Sequence, residues 1–128
     1  MNILLDTVTF LWWVTDDDGL SVGASDFIKD PTRRVFLSPV STWEIVVKHA
    51  MGKLPLPEDP VSLIPRLRRD HGFEELPLSE GAVLQLPRLP SLHKDPFDRM
   101  LLCQAIEHGL ILVTPDEHLR RYPVRSAW

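Results

Sequence analysis

The sequence predicts an α/β domain, a mainly parallel central sheet flanked by helices, and three observations point there. Ile3 to Leu5, Val35 to Leu37 and Leu110 to Val113 are short unbroken apolar runs, the pattern of strands buried on both faces. Helical stretches with recognisable caps separate these runs. Twelve prolines and well-spaced glycines punctuate the ends of the elements. Strands alternating with helices build a sheet covered on both sides, which needs only one domain across residues 1–128.

Taken in order, Asp6 stands at the end of the first strand, and Thr9 to Val14 reads as a helix carrying Trp12 and Trp13. The acidic tract Asp16 to Asp18 with Gly19 reads as a solvated loop, and Ser21 caps a short helix ending near Asp30 and Pro31. After the second strand, Ser38 is a cap and Pro39 a first helical residue, with the helix running to Met51 before Gly52. Residues 53–57, KLPLP, form a rigid connection. Asp59 and Pro60 open a helix reaching Asp70 and Gly72, with a kink expected at Pro65. Phe73 to Leu78 reads as a peripheral strand, because Pro77 cannot donate a ladder hydrogen bond. Ser79 caps a short helix to Leu86, and a loop over 87–94 follows. Asp95 is then an N-cap, Pro96 a first helical residue and Asp98 the third, with Gly109 as the stop. Beyond the last strand, Thr114-Pro115-Asp116-Glu117 predicts a capping box for a final short helix.

At 128 residues the chain is long enough to bury roughly two-thirds of its unfolded surface in one core. A formal charge of −4 excludes a protein that grips nucleic acid through a broad positive surface and leaves room only for local basic patches. Arg33/Arg34, Arg66/Arg68/Arg69 and Arg120/Arg121 are the candidates, each also readable as a solvated face. The single cysteine, Cys103, rules out an intrachain disulfide and points to a reducing compartment; its apolar neighbours make it a small core residue. The N-terminal apolar run is broken by Asp6 and lacks a basic lead, so it predicts neither a signal peptide nor a membrane span, and the expected location is cytoplasmic.

The acidic residues carry the chemistry. Asp98 tops the helical stripe Leu101, Leu102 and Ala105, and Glu44 shares a stripe with Val40, Val47 and Met51, so both carboxylates sit where a helix should face the core. A carboxylate there is costly to desolvate unless something positive meets it. Asp6 and Asp116 follow the first and last of the three apolar strands, and ligands of open α/β sheets bind beyond the carboxyl ends of the strands. All four acids are therefore expected on one rim, where they repel one another. A hard divalent ion, Mg²⁺ or Mn²⁺, held by oxygen ligands relieves that repulsion and suits phosphodiester hydrolysis. Each acid also has a local explanation: Asp6 and Asp95 as caps, Asp116 as a first-turn acid, and Glu44 as the partner of Lys48 four residues on.

The stretches NILLDT, SPVSTWEIVVKHAMGKLPLP and HKDPFDRMLLCQAIEHGLILVTPDEHL, in that order, resemble the PIN-domain ribonucleases, and specifically the VapC-type toxins of bacterial and archaeal toxin–antitoxin pairs. The resemblance implies a single PIN-like domain that hydrolyses RNA, with Asp6, Glu44, Asp98 and Asp116 as both the catalytic and the Mg²⁺ or Mn²⁺ residues. Thr114 matches a small hydroxyl residue that supports the site, and Asp95 is an accessory candidate. The implied partners are an RNA substrate, a cognate VapB-like antitoxin seated on the early helices, and a second copy of the chain as homodimer, with no membrane involved. One departure stands out: relatives carry histidine after the DT of the first motif, where this chain has Val8, and a change of local packing or dimer contact is expected there.

The remaining motifs narrow the alternatives. Five histidines show no pair at zinc-ligand spacing on one helix, and the glycines form neither a dinucleotide fingerprint nor a phosphate-binding loop. His93 and Lys94 are expected to be solvated loop residues. Of the adjacent Trp12 and Trp13, one should be core and the other exposed; Trp128 reads equally as a loose end or an interface anchor. Aspartyl-phosphate chemistry would need a second acid at Val8 or a lysine where the chain reads TPDE, and both are missing. The remaining rival is an inactive PIN-like or receiver-like module that binds Mg²⁺ for stability alone.

Overall fold

The computed structural model describes residues 1–128. Strand β1 (Ile3–Leu5) is followed by α1 (Thr7–Val14) and α2 (Val22–Lys29), then β2 (Val35–Leu37), α3 (Pro39–Ala50) and α4 (Pro60–Asp70). Next come β3 (Glu74–Glu75), α5 (Glu80–Val83), a 3₁₀ turn at Leu86–Arg88, α6 (Pro96–His108), β4 (Ile111–Val113), α7 (Glu117–Arg120) and β5 (Ser126–Ala127). The five strands are all parallel, in the order β3-β2-β1-β4-β5. β1 is thus the central strand, paired through Ile3 with Val35 on one side and with Ile111 on the other.

Its apolar run is unbroken because both faces are buried. Ile3 and Leu5 pack with Phe10, Ala24, Ile28, Ile45 and Ile64 on one side, while Leu4 joins Leu101, Leu102, Leu112 and Leu119 on the other. The side-chain period of two along a strand thereby feeds two separate apolar layers. Cys103 is fully buried in the second. Gln104 of α6 is also completely buried: its Oε1 accepts from Ser38 Oγ at 2.5 Å and its Nε2 donates to the Leu76 carbonyl at 3.2 Å. These bonds tie α6 to the start of α3 and to the segment after β3.

The caps form largely as read. Ser21, Ser38, Asp59, Ser79 and Asp95 each accept a backbone N–H of the first turn of their helix, and Gly109 ends α6 at φ 63°, the left-handed conformation that costs glycine no Cβ clash. Asp6 caps as well, so α1 begins at Thr7 rather than Thr9.

Several expectations are corrected. Pro65 lies inside an uninterrupted α4, and the carbonyl it leaves without a donor belongs to Val61, an exposed residue. The strand expected over Phe73 to Leu78 shrinks to the edge pair Glu74–Glu75. The helix after Ser79 ends at Val83 because Pro87 allows only a 3₁₀ turn beyond it. Met51 is exposed rather than on the core face of α3, whose buried positions are Val40, Ser41, Glu44 and Ile45.

The capping box at Thr114 does not form. Asp116 is the N-cap of α7, accepting from the His118 N–H at 2.8 Å, because the Thr114 hydroxyl is engaged elsewhere. β5 is unreadable in the sequence: Ser126 and Ala127 have no apolar pattern and pair only because β4 offers an open edge to Arg125 and Ala127. Neither Trp12 nor Trp13 is core and neither is fully exposed. Trp12 packs against Trp128 with ring centroids 5.9 Å apart, and Trp13 against Phe73 at 6.4 Å. Trp128 is therefore packed within the chain rather than a loose end, and Gly23 is needed beneath it, since a Cβ there would meet the Trp128 carbonyl oxygen at 2.8 Å.

Candidate active site

The crossovers run from β1 through β2 to β3 on one side, and the chain returns to β4 and β5 on the other. The crevice between the carboxyl ends of β1 and β4 is thus the switch point of the sheet, where open α/β folds bind ligands. Asp6 leaves β1 there and Thr114 leaves β4.

Asp6 is 3% exposed. Its Oδ1 accepts from the Thr9 N–H at 2.8 Å, and its Oδ2 accepts from the Thr114 hydroxyl. Thr114 Oγ1 in turn accepts from the Asp116 N–H at 3.1 Å. One fully buried hydroxyl therefore joins the Asp6 carboxylate to the Asp116 backbone amide across the crevice. Burial pushes the Asp6 carboxyl up to about 6, although Thr114 and Thr9 both pull it down and the negative Glu44 adds to the rise.

Glu44, 5% exposed, reaches the same edge from the second turn of α3. The Thr7 hydroxyl donates to its Oε1 at 2.7 Å, and Lys48 Nζ pairs with Oε2. Thr7 Oγ1 also lies 3.0 Å from Ser41 Oγ. Thr7 has one proton and spends it on the carboxylate, so Ser41 must donate to Thr7. The local pairing with Lys48 and the rim position are thus both real. Hydrogen bonding to Glu44 raises the Lys48 ammonium above its ordinary value, and the fields of Asp95 and Asp98 add to this, so Lys48 is part of the same charge cluster.

Asp98 stands in the first turn of α6 with its side chain 21% exposed. Burial drives its carboxyl from 3.8 to about 7, with the charges of Asp95, Glu44, Asp6 and Asp116 adding in that order. Each of these acids is near enough for its charge to be felt at Asp98. Asp95 is half-buried and accepts from the Asp98 N–H at 3.0 Å, so its capping role is real. The four acids share a rim, yet no three acidic, histidine or cysteine side chains converge closely enough to hold an ion as they stand. The donors are all carboxylate oxygens. Two of them are driven toward their protonated forms by burial and mutual repulsion, which is the condition a hard cation reverses.

His93 is not a solvated loop residue. Its Nδ1 lies 2.8 Å from the Tyr122 hydroxyl and its Nε2 lies 3.5 Å from Asp98 Oδ2. Sequence reading also missed Thr7, Ser41 and Tyr122. Thr7 and Ser41 lie in the quoted motifs without any pattern marking them as polar partners of Glu44, and Tyr122 falls outside every motif. In two of the basic clusters the arginines are paired with acids outside the four: Arg33 with Asp30, Arg34 with Glu74 and Arg66 with Glu58.

The PIN domain family model matches residues 3–125. The chain belongs to the PIN domain family. It is 28% identical over 121 residues to the ribonuclease VapC22 of Mycobacterium tuberculosis, covering 94% of this chain and 92% of that one. Over a 43-residue stretch, 33% of this chain and 30% of the relative, it is 42% identical to ribonuclease VapC16 of the same organism. In fold it is similar to a chain of the VapBC2 structure from Rickettsia felis bound to a promoter DNA fragment, with a TM-score of 0.75 at 15% identity over 98% of this chain and 97% of that one. It is likewise similar to a chain of DNA-bound VapBC from Salmonella typhimurium, with a TM-score of 0.71 at 18% identity and coverage of 98% and 96%. The PIN fold expected from the motifs is thus the one this chain has: seven helices around a five-stranded parallel sheet.

Proposed function

We propose that this PIN domain is a VapC-type endoribonuclease, the toxin of a toxin–antitoxin pair, whose hydrolysis of RNA depends on Mg²⁺ or Mn²⁺. The observation that carries the reading is the gathering of Asp6, Glu44, Asp98 and Asp116 around the β1/β4 switch point, with Asp98 raised to about 7 by burial and by the other acids. Acids so arranged destabilise a fold and are expected where a cation and a phosphate are handled. The ribonuclease names of the sequence relatives support the same conclusion.

In this reading Asp6, Glu44, Asp98 and Asp116 hold the divalent ion, which supplies charge neutralisation for the phosphodiester and activation of water. Asp6 is prepared for it by Thr114 and Thr9, which fix both carboxylate oxygens. Thr7 orients Glu44, while Lys48 neutralises it when the site holds no ion. Asp116 is aimed by its own cap and by the Thr114 bridge.

The partners of the reading are single-stranded or looped RNA, a VapB-like antitoxin and a second copy of the chain. The exposed outer side of α3, with Trp43, Val46 and Met51, supports an apolar partner surface. No helix is long and apolar enough to cross a membrane, and the reading places the protein in the cytoplasm with its RNA.

Purified protein should cleave RNA in Mn²⁺ and stop in EDTA. Asp6→Asn and Asp98→Asn keep side-chain shape but lose the charge, the amide in Asp6→Asn still being able to cap α1, and each substitution should lower cleavage at least about 100-fold while circular dichroism stays native. Cleavage that survives both substitutions refutes the proposal.

A further inference from the structure

The Tyr122 hydroxyl is a junction with a determinate proton. It receives the Leu92 N–H at 3.1 Å, the His93 N–H at 3.1 Å and Arg99 Nη1 at 3.1 Å. Those donors occupy its acceptor capacity, so its own proton must be given away, and His93 Nδ1 stands 2.8 Å from it. A neutral imidazole that accepts at Nδ1 carries its hydrogen on Nε2. That Nε2 is buried and makes no hydrogen bond; in front of it, at 3.5 Å, is Asp98 Oδ2. The ring is fixed from behind as well, packed edge-on against Tyr122 with centroids 5.4 Å apart. Arg99, the residue after Asp98, also binds the Pro90 carbonyl at 2.8 Å and so ties this loop to the first turn of α6. A donor N–H with no other use is therefore held rigidly against one carboxylate of the site.

We infer that His93 is a positioning residue: locked by Tyr122 in its Nε2–H form, it orients the Asp98 carboxylate for the divalent ion. The inference rests on the metal-dependent reading above. It assigns a purpose to the loop over 90–93, which meets the four acids only through His93, and to Tyr122, just beyond α7. Outer partners of this kind that hold a ligand's second oxygen shape metal affinity without being ligands themselves.

The test separates positioning from packing. In His93→Asn the amide reaches only where Nδ1 stood, so the contact with Tyr122 is kept and the donor toward Asp98 is lost. In His93→Gln the amide reaches the Nε2 position and restores that donor. Calorimetric titration of the full-length proteins with Mn²⁺ alone should show binding weakened on the order of 10-fold in His93→Asn and within about threefold of the parent in His93→Gln. Nitrogen-15 NMR of the parent at pH 8 should show His93 protonated on Nε2, a readout that needs no variant to fold. Equal Mn²⁺ affinity of the Asn and Gln variants, or a ring protonated on Nδ1, overturns the inference and leaves the ribonuclease reading standing. A parent protein that binds no Mn²⁺ overturns both.

Discussion

Replacing Asp98 by Asn should make the ion-free protein more stable at alkaline pH and leave it unchanged in acid. The folded protein holds the Asp98 proton up to about pH 7, against 3.8 for a free carboxyl. An acid whose pKa is raised by folding opposes folding once it ionises. Its penalty is absent below the unfolded pKa, grows as pH rises from about 4 to about 7, and is constant above. Asp6, raised to about 6, acts in the same direction over a narrower window. Carrying a carboxyl from 3.8 to about 7 corresponds to about 4 kcal/mol. Asp98 is one-fifth exposed and shares its repulsion with four other acids, so screening and rearrangement reduce the expected gain to about 1–2 kcal/mol. For a chain of this size that is a rise of roughly 4 °C in Tm for each kcal/mol. The assay is thermal unfolding of EDTA-treated protein and Asp98→Asn at pH 4.5 and pH 8. The variant should gain at pH 8 and nearly match the parent at pH 4.5. Excess Mn²⁺ at pH 8 should reverse the order, because only the parent gains binding energy. A variant that is less stable at pH 8, or that differs equally at both pH values, refutes the electrostatic account and leaves Asp98 as a structural residue.

Thr114→Val removes the donor to Asp6 and the acceptor of the Asp116 N–H together; Mn²⁺ affinity should fall about 10-fold by calorimetry, with about 1 kcal/mol lost in urea unfolding. Unchanged affinity would show that the bridge does not shape the site. Gln104→Leu leaves the buried Ser38 hydroxyl without its acceptor and the Leu76 carbonyl without its donor, and should cost about 2–3 kcal/mol in the same unfolding assay without altering Mn²⁺ binding. A neutral result would mean that water replaces the amide.

Much of the fold, and the placement of the candidate acids, was legible locally. Strands β1, β2 and β4 read correctly because burial on both faces leaves only apolar residues in the run, and α2, α3 and α6 read correctly because cap, Pro and Gly signals act within one turn of the chain. Glu44 and Asp98 were found by helical periodicity, Asp6 and Asp116 by their place after strands. Errors arose wherever a distant partner took over a local group. Thr114 has the pattern of a cap, but its hydroxyl goes to Asp6, 108 positions away in sequence. Trp12 and Trp13 were to be divided between core and solvent, yet Trp128 and Phe73 each cover one of them.

On its own, then, the chain's pattern of apolar runs, caps and acids determined an α/β layer order and four carboxylates at strand and helix ends, because those properties depend on neighbours a few residues apart. Only the tertiary structure decided that β5 closes the sheet edge, that Lys48 shares the acid cluster, and that His93 faces Asp98 with its tautomer set by Tyr122. Such contacts join residues far apart in sequence, and their energies exist only once the backbone has brought the partners within a few ångströms.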